Sequence, residues 1–347
     1  MDTPRRTFLQ LVAAGAAATP FLDASPVKAA ATASRSRDSR LMGQAKFVDV
    51  NGIRTRYFEG GSGEPLVLVH GGQWPSTASA DTWAPIFDHL AAKFHVYAVD
   101  KLGMGFTDNP KTEADFSMDA IIDHTFRFIQ AVGIRRAVLV GHSRGALPVA
   151  RIAADHPDLV SHLVILDSNT LAPADPNTPE RIDPEANREP PSREELKRIR
   201  FASNQTVVKD YLTETYLGAE YRIAHLAKIK EVHVRFNAAR DKWVSANPEL
   251  VKLNPLWTRN MGATTWWMYK AKFETLDRIS KGMLKAPTLI VWGYNDPTAP
   301  YTLGVDLMET VSKVVDRAEL HIINKSGHLV YAEHPEKVTG LISGFVG

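Results

Sequence analysis

A serine flanked by small residues follows an apolar stretch in the middle of the chain. Residues 137–140 are apolar and predict a buried strand, and residues 145–154 predict the helix that follows it. Between them lies the pattern Gly-x-Ser-x-Gly, with Ser143 at its centre. In a sharp turn from strand to helix, Gly141 and Gly145 allow close backbone approach, and the serine hydroxyl is exposed at the positive end of the helix. The spacing predicts that Ser143 is a nucleophile.

A serine hydroxyl needs a general base, which is usually a histidine oriented by a carboxylate. His328 follows the last predicted strand on a glycine-containing loop, and Asp296 follows the strand before it. We therefore expect Ser143 to attack the substrate, His328 to transfer the proton and Asp296 to orient His328. Asp167, which follows the strand after the serine, is the alternative acid.

The transition state of such a reaction also needs hydrogen-bond donors for its oxyanion. One predicted donor is the backbone N–H of Arg144, directly after the nucleophile. The second is expected on the loop after the predicted strand 65–69, at Gly72 or Gln73. The Arg144 side chain could bind a substrate carboxylate or pair with a nearby acidic residue.

These loops require a sheet that brings them to one edge. Strands and helices alternate along most of the chain, and the strands are apolar throughout, which predicts a mostly parallel sheet with helices on both faces. Asn51-Gly52 predicts a hairpin within residues 47–58. The other predicted strands are 65–69, 95–99, 137–140, 162–166, 288–292 and 319–323, and the predicted helices are 82–93, 117–131, 145–154, 305–315 and one that starts at 335.

The alternation is interrupted between residues 168 and 285. A segment rich in Pro, Asp and Asn is followed by a helix-capping pattern at 192–195, a long helical pattern over 219–243 and an aromatic-rich stretch over 260–276. We therefore predict an inserted helical cap over 168–285 between two parts of an α/β core, 46–167 and 286–347. Within the cap, Trp266, Trp267 and Tyr269 could line a substrate pocket or pack the cap itself.

Composition excludes several classes of function. The 347 residues carry a net charge of +2, which gives no indication of nucleic-acid binding, and the absence of cysteine excludes disulfides and thiolate chemistry. No Gly-x-Gly-x-x-Gly pattern follows a strand, so no cofactor is expected. His225 and His233 are eight residues apart on one helical pattern, too far for ligands one helical turn apart, so no metal site is expected either.

The N-terminus has features of an export signal. Arg5-Arg6 is followed by Phe8-Leu9, a short alanine-rich apolar run and small-residue cleavage sites. This pattern resembles a twin-arginine signal and predicts a signal peptide over 1–33 and a polar linker over 34–45. The expected partner is the twin-arginine export machinery, and the expected location is the periplasm or the exterior. A helix of a cytosolic protein and an uncleaved anchor are the alternatives, although the run is too short to span a membrane.

Taken together, these motifs resemble the α/β-hydrolase superfamily from about residue 47 to the end. The resemblance is carried by His-Gly-Gly at 70–72, Asp-Lys-Leu-Gly-Met-Gly-Phe-Thr-Asp at 100–108, Gly-His-Ser-Arg-Gly at 141–145, Gly-Tyr-Asn-Asp at 293–296 and Ser-Gly-His at 326–328. Within the superfamily, the chain is similar to the carbon–carbon bond hydrolases of aromatic-ring catabolism. Their usual patterns are His-Gly-Gly-Gly-Pro-Gly, Gly-Asn-Ser-x-Gly-Gly and Gly-His-Trp, and this chain departs from all three.

These features lead to three expectations of function. The first is hydrolysis of a small or medium ester or lactone through an acyl-enzyme. The alternative is carbon–carbon cleavage of a vinylogous keto acid by the same three residues, with basic cap residues such as Arg188, Arg193 or Arg259 binding its carboxylate. The third, of another class, is a hydrolase-like protein that binds a small-molecule ligand without turnover.

Overall fold

The computed structural model describes residues 42–74, 76–173, 189–246, 248 and 262–347, with the side chains of 244 and 262–269 left out. The predicted signal peptide over 1–33 and most of the predicted linker therefore lie outside the described residues. No helix in the described part of the chain is long and apolar enough to cross a membrane.

Eight strands form one sheet in the order β1-β2-β4-β3-β5-β6-β7-β8. The pairs β1–β2 and β2–β4 are antiparallel, and all other neighbours are parallel. The mostly parallel α/β fold predicted from the sequence is thus confirmed. The strands are β1 Lys46–Val50, β2 Ile53–Gly60, β3 Pro65–Val69, β4 His95–Val99, β5 Ala137–His142, β6 Val160–Leu166, β7 Thr288–Gly293 and β8 Ala318–Ile323.

The first two strands form the predicted hairpin. Asn51 and Gly52 both have positive φ angles, 53° and 77°, as a tight two-residue hairpin turn requires. The Gly52 N–H donates to Asp49 Oδ1 at 2.8 Å, which closes the turn.

Alternate residues of the central strands enter two separate cores, one on each face of the sheet. On β5, Leu139 belongs to one core while Val138 and Val140 belong to the other, and all three are fully buried. Burial on both faces explains why these strands are apolar without alternation. This rigid central sheet fixes where the loops at its carboxyl edge begin.

Ten α-helices accompany this sheet among the residues that the structure describes. Ser117 caps α2 through a hydrogen bond from the Ala120 N–H, as its sequence pattern predicts. The helices are α1 Ala84–Ala91, α2 Met118–Ala131, α3 Ala146–Asp155, α4 Arg193–Ala202, α5 Glu214–Ala224, α6 Ala227–Ala246, α7 Gly262–Ser280, α8 Thr302–Val311, α9 Val330–Glu333 and α10 Pro335–Val346.

Helices cover both faces of the sheet. Phe128 on α2, Ile152 on α3 and Leu307 on α8 belong to one core, and Phe87 on α1 and Ile342 on α10 belong to the other. This arrangement confirms the two helical layers that apolar parallel strands require.

In the described part of the chain between β6 and β7 lie the four helices α4 to α7. The long helical pattern predicted over 219–243 is helical in the structure but forms two helices, which are separated at His225 and Leu226. At the end of α5, the His225 ring donates to the carbonyl of Tyr221 at 2.8 Å. The helix α7 packs against both α6 and α3, so the inserted helices contact the layer that covers the sheet. The exact boundaries of core and cap stay a prediction.

Candidate active site

The nucleophile turn follows directly from β5. Ser143 has a φ angle of +50°, an uncommon conformation for a residue with a side chain. A Cβ added at Gly141 would lie 2.5 Å from Cα of Ala146, and one added at Gly145 would collide with the carbonyl of Val69 at the end of β3. The two glycines therefore allow the turn to close against the neighbouring strand, as the sequence predicts.

Three loops at the carboxyl ends of β5, β7 and β8 bring Ser143, Asp296 and His328 together. The Nε2 of His328 lies 3.1 Å from Oγ of Ser143, and Nδ1 of His328 lies 2.6 Å from Oδ2 of Asp296. Because a carboxylate accepts, Nδ1 carries the ring proton of a neutral His328 and leaves Nε2 free to accept from the serine hydroxyl. This is the arrangement that a general base requires.

The Asp296 side chain is held at both oxygens. Its Oδ1 accepts from the Thr298 N–H at 2.7 Å, the Thr298 hydroxyl at 2.6 Å and the Ala299 N–H at 3.1 Å. Its Oδ2 is thereby aimed at His328, although the side chain is fully buried. These hydrogen bonds keep the histidine in one orientation and one tautomer.

The alternative acid, Asp167, is occupied elsewhere. Its Oδ1 accepts from the Gly293 N–H at 2.7 Å, and its Oδ2 accepts from the Val330 N–H at 3.3 Å. Burial, together with repulsion from Asp296, raises the pKa of Asp167 well above 3.8. The structure thus brings Asp296, and not Asp167, to the ring of His328.

A second histidine, His142, connects the nucleophile turn to the loop that carries His328. The Nε2–H of His142 donates to the backbone carbonyl of His328 at 2.8 Å. Burial, with the neighbouring His328, lowers the pKa of His142 well below 6.5, so the ring is neutral at physiological pH. His142 thus fixes the backbone that carries His328.

The loop that carries two of the predicted oxyanion donors passes beside the nucleophile. A Cβ added at Gly71 would lie only 3.0 Å from Cβ of Ser143, so the loop after β3 passes directly against the serine. Gly72 has a φ angle of +71°, and the Gln73 side chain is buried with its amide oxygen unpaired among the described residues. Arg144 follows Ser143 in the first turn and is half-buried.

Sequence reasoning missed the contacts that hold the histidine loop from outside. The His328 N–H donates to the carbonyl of Gln205 at 2.6 Å. Glu333 accepts from the Gly327 N–H at 2.8 Å with one oxygen, and from the Val207 and Val208 N–H groups at 2.6 and 2.8 Å with the other. A glutamate five residues after the histidine was the only signal in the sequence, and it did not identify its partners.

Of the remaining sequence candidates, those with described side chains have other contacts. His225 ends α5 and His233 lies on α6, and the described residues contain no group of side chains that could hold a metal ion. Arg193 lies over the ring of Tyr221, with 5.1 Å between its guanidinium carbon and the ring centroid. Arg188, Arg259 and the side chains of Trp266, Trp267 and Tyr269 lie outside the described residues.

Proteins similar to this chain are hydrolases. It is 28% identical over 297 residues to a 2-hydroxymuconate semialdehyde hydrolase of Pseudomonas sp. strain CF600, covering 85% of this chain and 91% of that protein. It is 26% identical over 302 residues to a 2-hydroxy-6-oxo-6-(2'-aminophenyl)hexa-2,4-dienoic acid hydrolase of Metapseudomonas resinovorans, covering 87% and 90%.

Solved structures agree on the fold. The meta-cleavage product hydrolase of Pseudomonas fluorescens IP01 superposes with a TM-score of 0.65 at 21% identity, covering 88% of this chain and 98% of that one. A family model described as the alpha/beta hydrolase fold matches residues 64–335, which include the nucleophile turn and both loops that meet it. The chain is therefore a hydrolase and belongs to the α/β hydrolase fold family.

Proposed function

We propose that the chain is a serine hydrolase that cleaves a carbon–carbon bond next to a ketone in a vinylogous keto acid. The observation that carries the proposal is the continuous hydrogen-bonded chain from Asp296 through His328 to Ser143. A serine in strained backbone, with a histidine oriented by a buried carboxylate, is arranged for nucleophilic attack on a carbonyl carbon.

The proposed reaction has two halves. First, Ser143 Oγ adds to the ketone carbon while His328 takes its proton, and amides of Gly72, Gln73 and Arg144 bind the resulting oxyanion. As the tetrahedral intermediate collapses, the adjacent carbon–carbon bond breaks. Its electron pair passes into the conjugated keto acid, which takes up the proton from His328. Water then hydrolyses the ester on Ser143, again with His328 as base.

The bond that is cleaved is inferred from the relatives. The two hydrolases described above are named for a 2-hydroxymuconate semialdehyde and a 2-hydroxy-6-oxo-dienoic acid, and the similarity extends over 85–87% of this chain. Both names describe a conjugated system that can accept the electron pair of a breaking carbon–carbon bond. This support outweighs the three motif departures that favour ester hydrolysis.

Ester or lactone hydrolysis is the second candidate, because the loop that would bind the oxyanion differs from the relatives' usual glycine-rich pattern. Trp74 follows the glycines of this loop. Its ring packs edge-on against Phe116, with 5.1 Å between the ring centroids, and against Phe236 of α6, with 6.2 Å between the centroids. A bulky loop changes the shape of the pocket and hence the substrate. A binding protein without turnover is the third candidate, and the intact hydrogen-bonded chain from Asp296 to Ser143 argues against it.

One comparison tests all three candidates. The purified chain is assayed with a 2-hydroxy-6-oxo-dienoate, followed by loss of its visible absorbance, and with p-nitrophenyl acetate and a small lactone. We expect the dienoate to have the highest kcat/KM and Ser143→Ala to lower kcat by at least about 10⁴-fold. A higher kcat/KM for the ester or lactone would select the second candidate, and no turnover of any substrate would select the third.

We also propose that the chain is exported in folded form, on the strength of Arg5-Arg6 and the apolar run that follows. Replacing both arginines by lysine in the full chain should retain the precursor in the cytoplasm of a bacterium with twin-arginine machinery. Immunoblots of periplasm and cytoplasm measure this distribution. Unchanged export of the double variant would overturn the proposal.

A further inference from the structure

A buried lysine contacts the loop that passes beside the nucleophile. We define the oxyanion loop as residues 70–73. Lys101 directly follows β4 and is only 1% exposed, and its Nζ donates to the carbonyl oxygen of Gly72 at 2.5 Å. Among the residues that the structure describes, no carboxylate is within ion-pair distance of this ammonium group.

A lysine buried in this way is costly to the fold, because burial removes water from its charge. Burial, with repulsion from Arg144, lowers the pKa of Lys101 well below 10.5. A methionine would fill similar space without that cost. Packing alone therefore does not explain a lysine at this position. Its hydrogen bond to the carbonyl of Gly72 indicates a role in the oxyanion loop.

The backbone of the same lysine reaches a second residue of the loop. The Lys101 N–H donates to Nε2 of His70 at 3.2 Å, so this nitrogen carries a lone pair and the ring proton is on Nδ1. The Nδ1–H of His70 in turn donates to the carbonyl oxygen of Gly71 at 2.7 Å. Lys101 thus holds two successive carbonyls of the oxyanion loop, one directly and one through His70.

The positions of these carbonyls determine where the next amides point. In a trans peptide, the C=O of one residue and the N–H of the next are on opposite sides. The N–H groups of Gly72 and Gln73 therefore point away from His70 and Lys101. Neither N–H has a hydrogen-bond acceptor in the described part of the chain.

We propose that Lys101 is a positioning residue that holds the Gly72–Gln73 peptide with its N–H towards the oxyanion formed at Ser143. The inference rests on the proposed serine chemistry. Gly72, at φ +71°, has no side chain to prevent rotation of this peptide. A rotated peptide would direct its carbonyl oxygen, instead of its N–H, at the negative charge, and the hydrogen bond from Lys101 opposes that rotation.

The test compares Lys101→Met with Lys228→Met. Lys228 is half-buried and also donates to a backbone carbonyl, that of Gly105 at 3.1 Å, but no hydrogen bond joins it to the oxyanion loop in the described part of the chain. With whichever substrate the wild type cleaves, we expect Lys101→Met to lower kcat about 10- to 100-fold with KM within about threefold, since a lost oxyanion donor costs about 10²–10³-fold. Lys228→Met should keep kcat within about threefold.

A second readout separates oxyanion binding from general damage. Phenylboronic acid forms a tetrahedral anionic adduct on a reactive serine, so Lys101→Met should weaken its binding at least about tenfold, while Lys228→Met should not. Equal kcat and equal boronate affinity in wild type and Lys101→Met would overturn the inference.

The outcomes also distinguish this inference from the proposed function. If a fluorophosphonate fails to label Ser143 in the wild type, the serine chemistry itself is wrong. If the wild type is labelled and Lys101→Met is labelled at the same rate, only the role of Lys101 is wrong. If Lys101→Met and a second variant, Lys101→Gln, both fail to fold, the wild type provides the test by NMR. Phenylboronic acid should shift the signal of the Gln73 amide proton downfield, and an unchanged signal would overturn the inference.

Discussion

His328 Nδ1 lies 2.6 Å from Asp296 Oδ2, whereas the equally buried Asp167 directs both of its oxygens at backbone amides. The difference comes from the loops. The chain after β7 turns back at Thr298, whose N–H and hydroxyl hold one oxygen of Asp296 and aim the other at the histidine. Asp167 instead accepts hydrogen bonds from the end of β7 and the start of α9, so it stabilises the backbone around the site.

The first prediction separates these two carboxylates. Asp296→Asn should lower kcat about 10²–10⁴-fold, because the amide favours the wrong tautomer of His328 and removes the charge that stabilises its protonated form. Asp167→Asn should change kcat by less than about tenfold and should instead lower stability, since the amide keeps one accepting oxygen and the N–H of either Gly293 or Val330 loses its acceptor. Both variants are assayed on one substrate, and their melting temperatures are compared. An inactive Asp167→Asn beside an active Asp296→Asn would reverse the assignment.

A second prediction concerns Glu333, which ties the inserted segment to the histidine loop. Glu333→Gln replaces one of the two carboxylate oxygens by an amide NH₂ group, which cannot accept. Either the buried N–H of Gly327 or the N–H groups of Val207 and Val208 then lose their acceptor, and the loss of a buried acceptor costs about 1–3 kcal/mol. We expect a lower free energy of unfolding in urea and a kcat reduced at least about tenfold, because the His328 loop loses its anchor. Glu336→Gln, an exposed neighbour, is the control and should stay within about 0.5 kcal/mol. Wild-type stability of Glu333→Gln would show that the anchor is not needed.

The nucleophile turn leads to a third prediction. Gly145→Ala should destabilise the fold by about 1–3 kcal/mol or more, because the new Cβ collides with backbone carbonyls of Val69 and His70 that cannot move without disrupting β3. Gly340→Ala on α10 is the matched control, since nothing lies within 4 Å of its Cβ, and it should stabilise the helix by about 0.5–1 kcal/mol. Denaturant unfolding measures both. A Gly145→Ala variant as stable as wild type would mean that the turn can relax.

Local patterns were sufficient to predict the sheet and the order of the site residues. The apolar run of β5, the Asn51-Gly52 turn and the glycines around Ser143 each express a requirement of the local backbone. A buried strand must be apolar, and a left-handed turn must have residues that tolerate it. His328 could be chosen among twelve histidines because its loop follows the last strand.

Contacts between distant segments were not predictable in the same way. The contact of Lys101 with Gly72 depends on how the strands are arranged in the sheet. The contact of Glu333 with Val207 depends on how the inserted segment packs. Neither residue has a periodicity or a neighbouring motif that names its partner. The break between α5 and α6 was missed because His225 and Leu226 do not interrupt the helical pattern of the sequence.

The fourth prediction concerns a buried lysine and the dependence of the free energy of unfolding on pH. Lys272 on α7 is 6% exposed and donates to the carbonyl of Asn169 at 2.9 Å, and burial lowers its pKa from 10.5 to about 8. Between pH 8 and 10.5, the unfolded chain holds a proton that the folded chain has released. The free energy of unfolding therefore rises with pH across this window, and the contribution of this one group from pH 7 to pH 10 is about 2–3 kcal/mol.

Substitution isolates that contribution from all other titrations. The difference in unfolding free energy between Lys272→Met and wild type should fall by about 2–3 kcal/mol from pH 7 to pH 10, because only the wild type gains from releasing the proton. Lys281→Met, an exposed lysine just beyond the same helix, should show a difference that changes by less than about 0.5 kcal/mol. Urea unfolding at both pH values measures the three proteins. A pH-independent difference for Lys272→Met would mean that its ammonium group is hydrated in the folded chain, and that α7 packs less tightly over Asn169 than the hydrogen bond indicates.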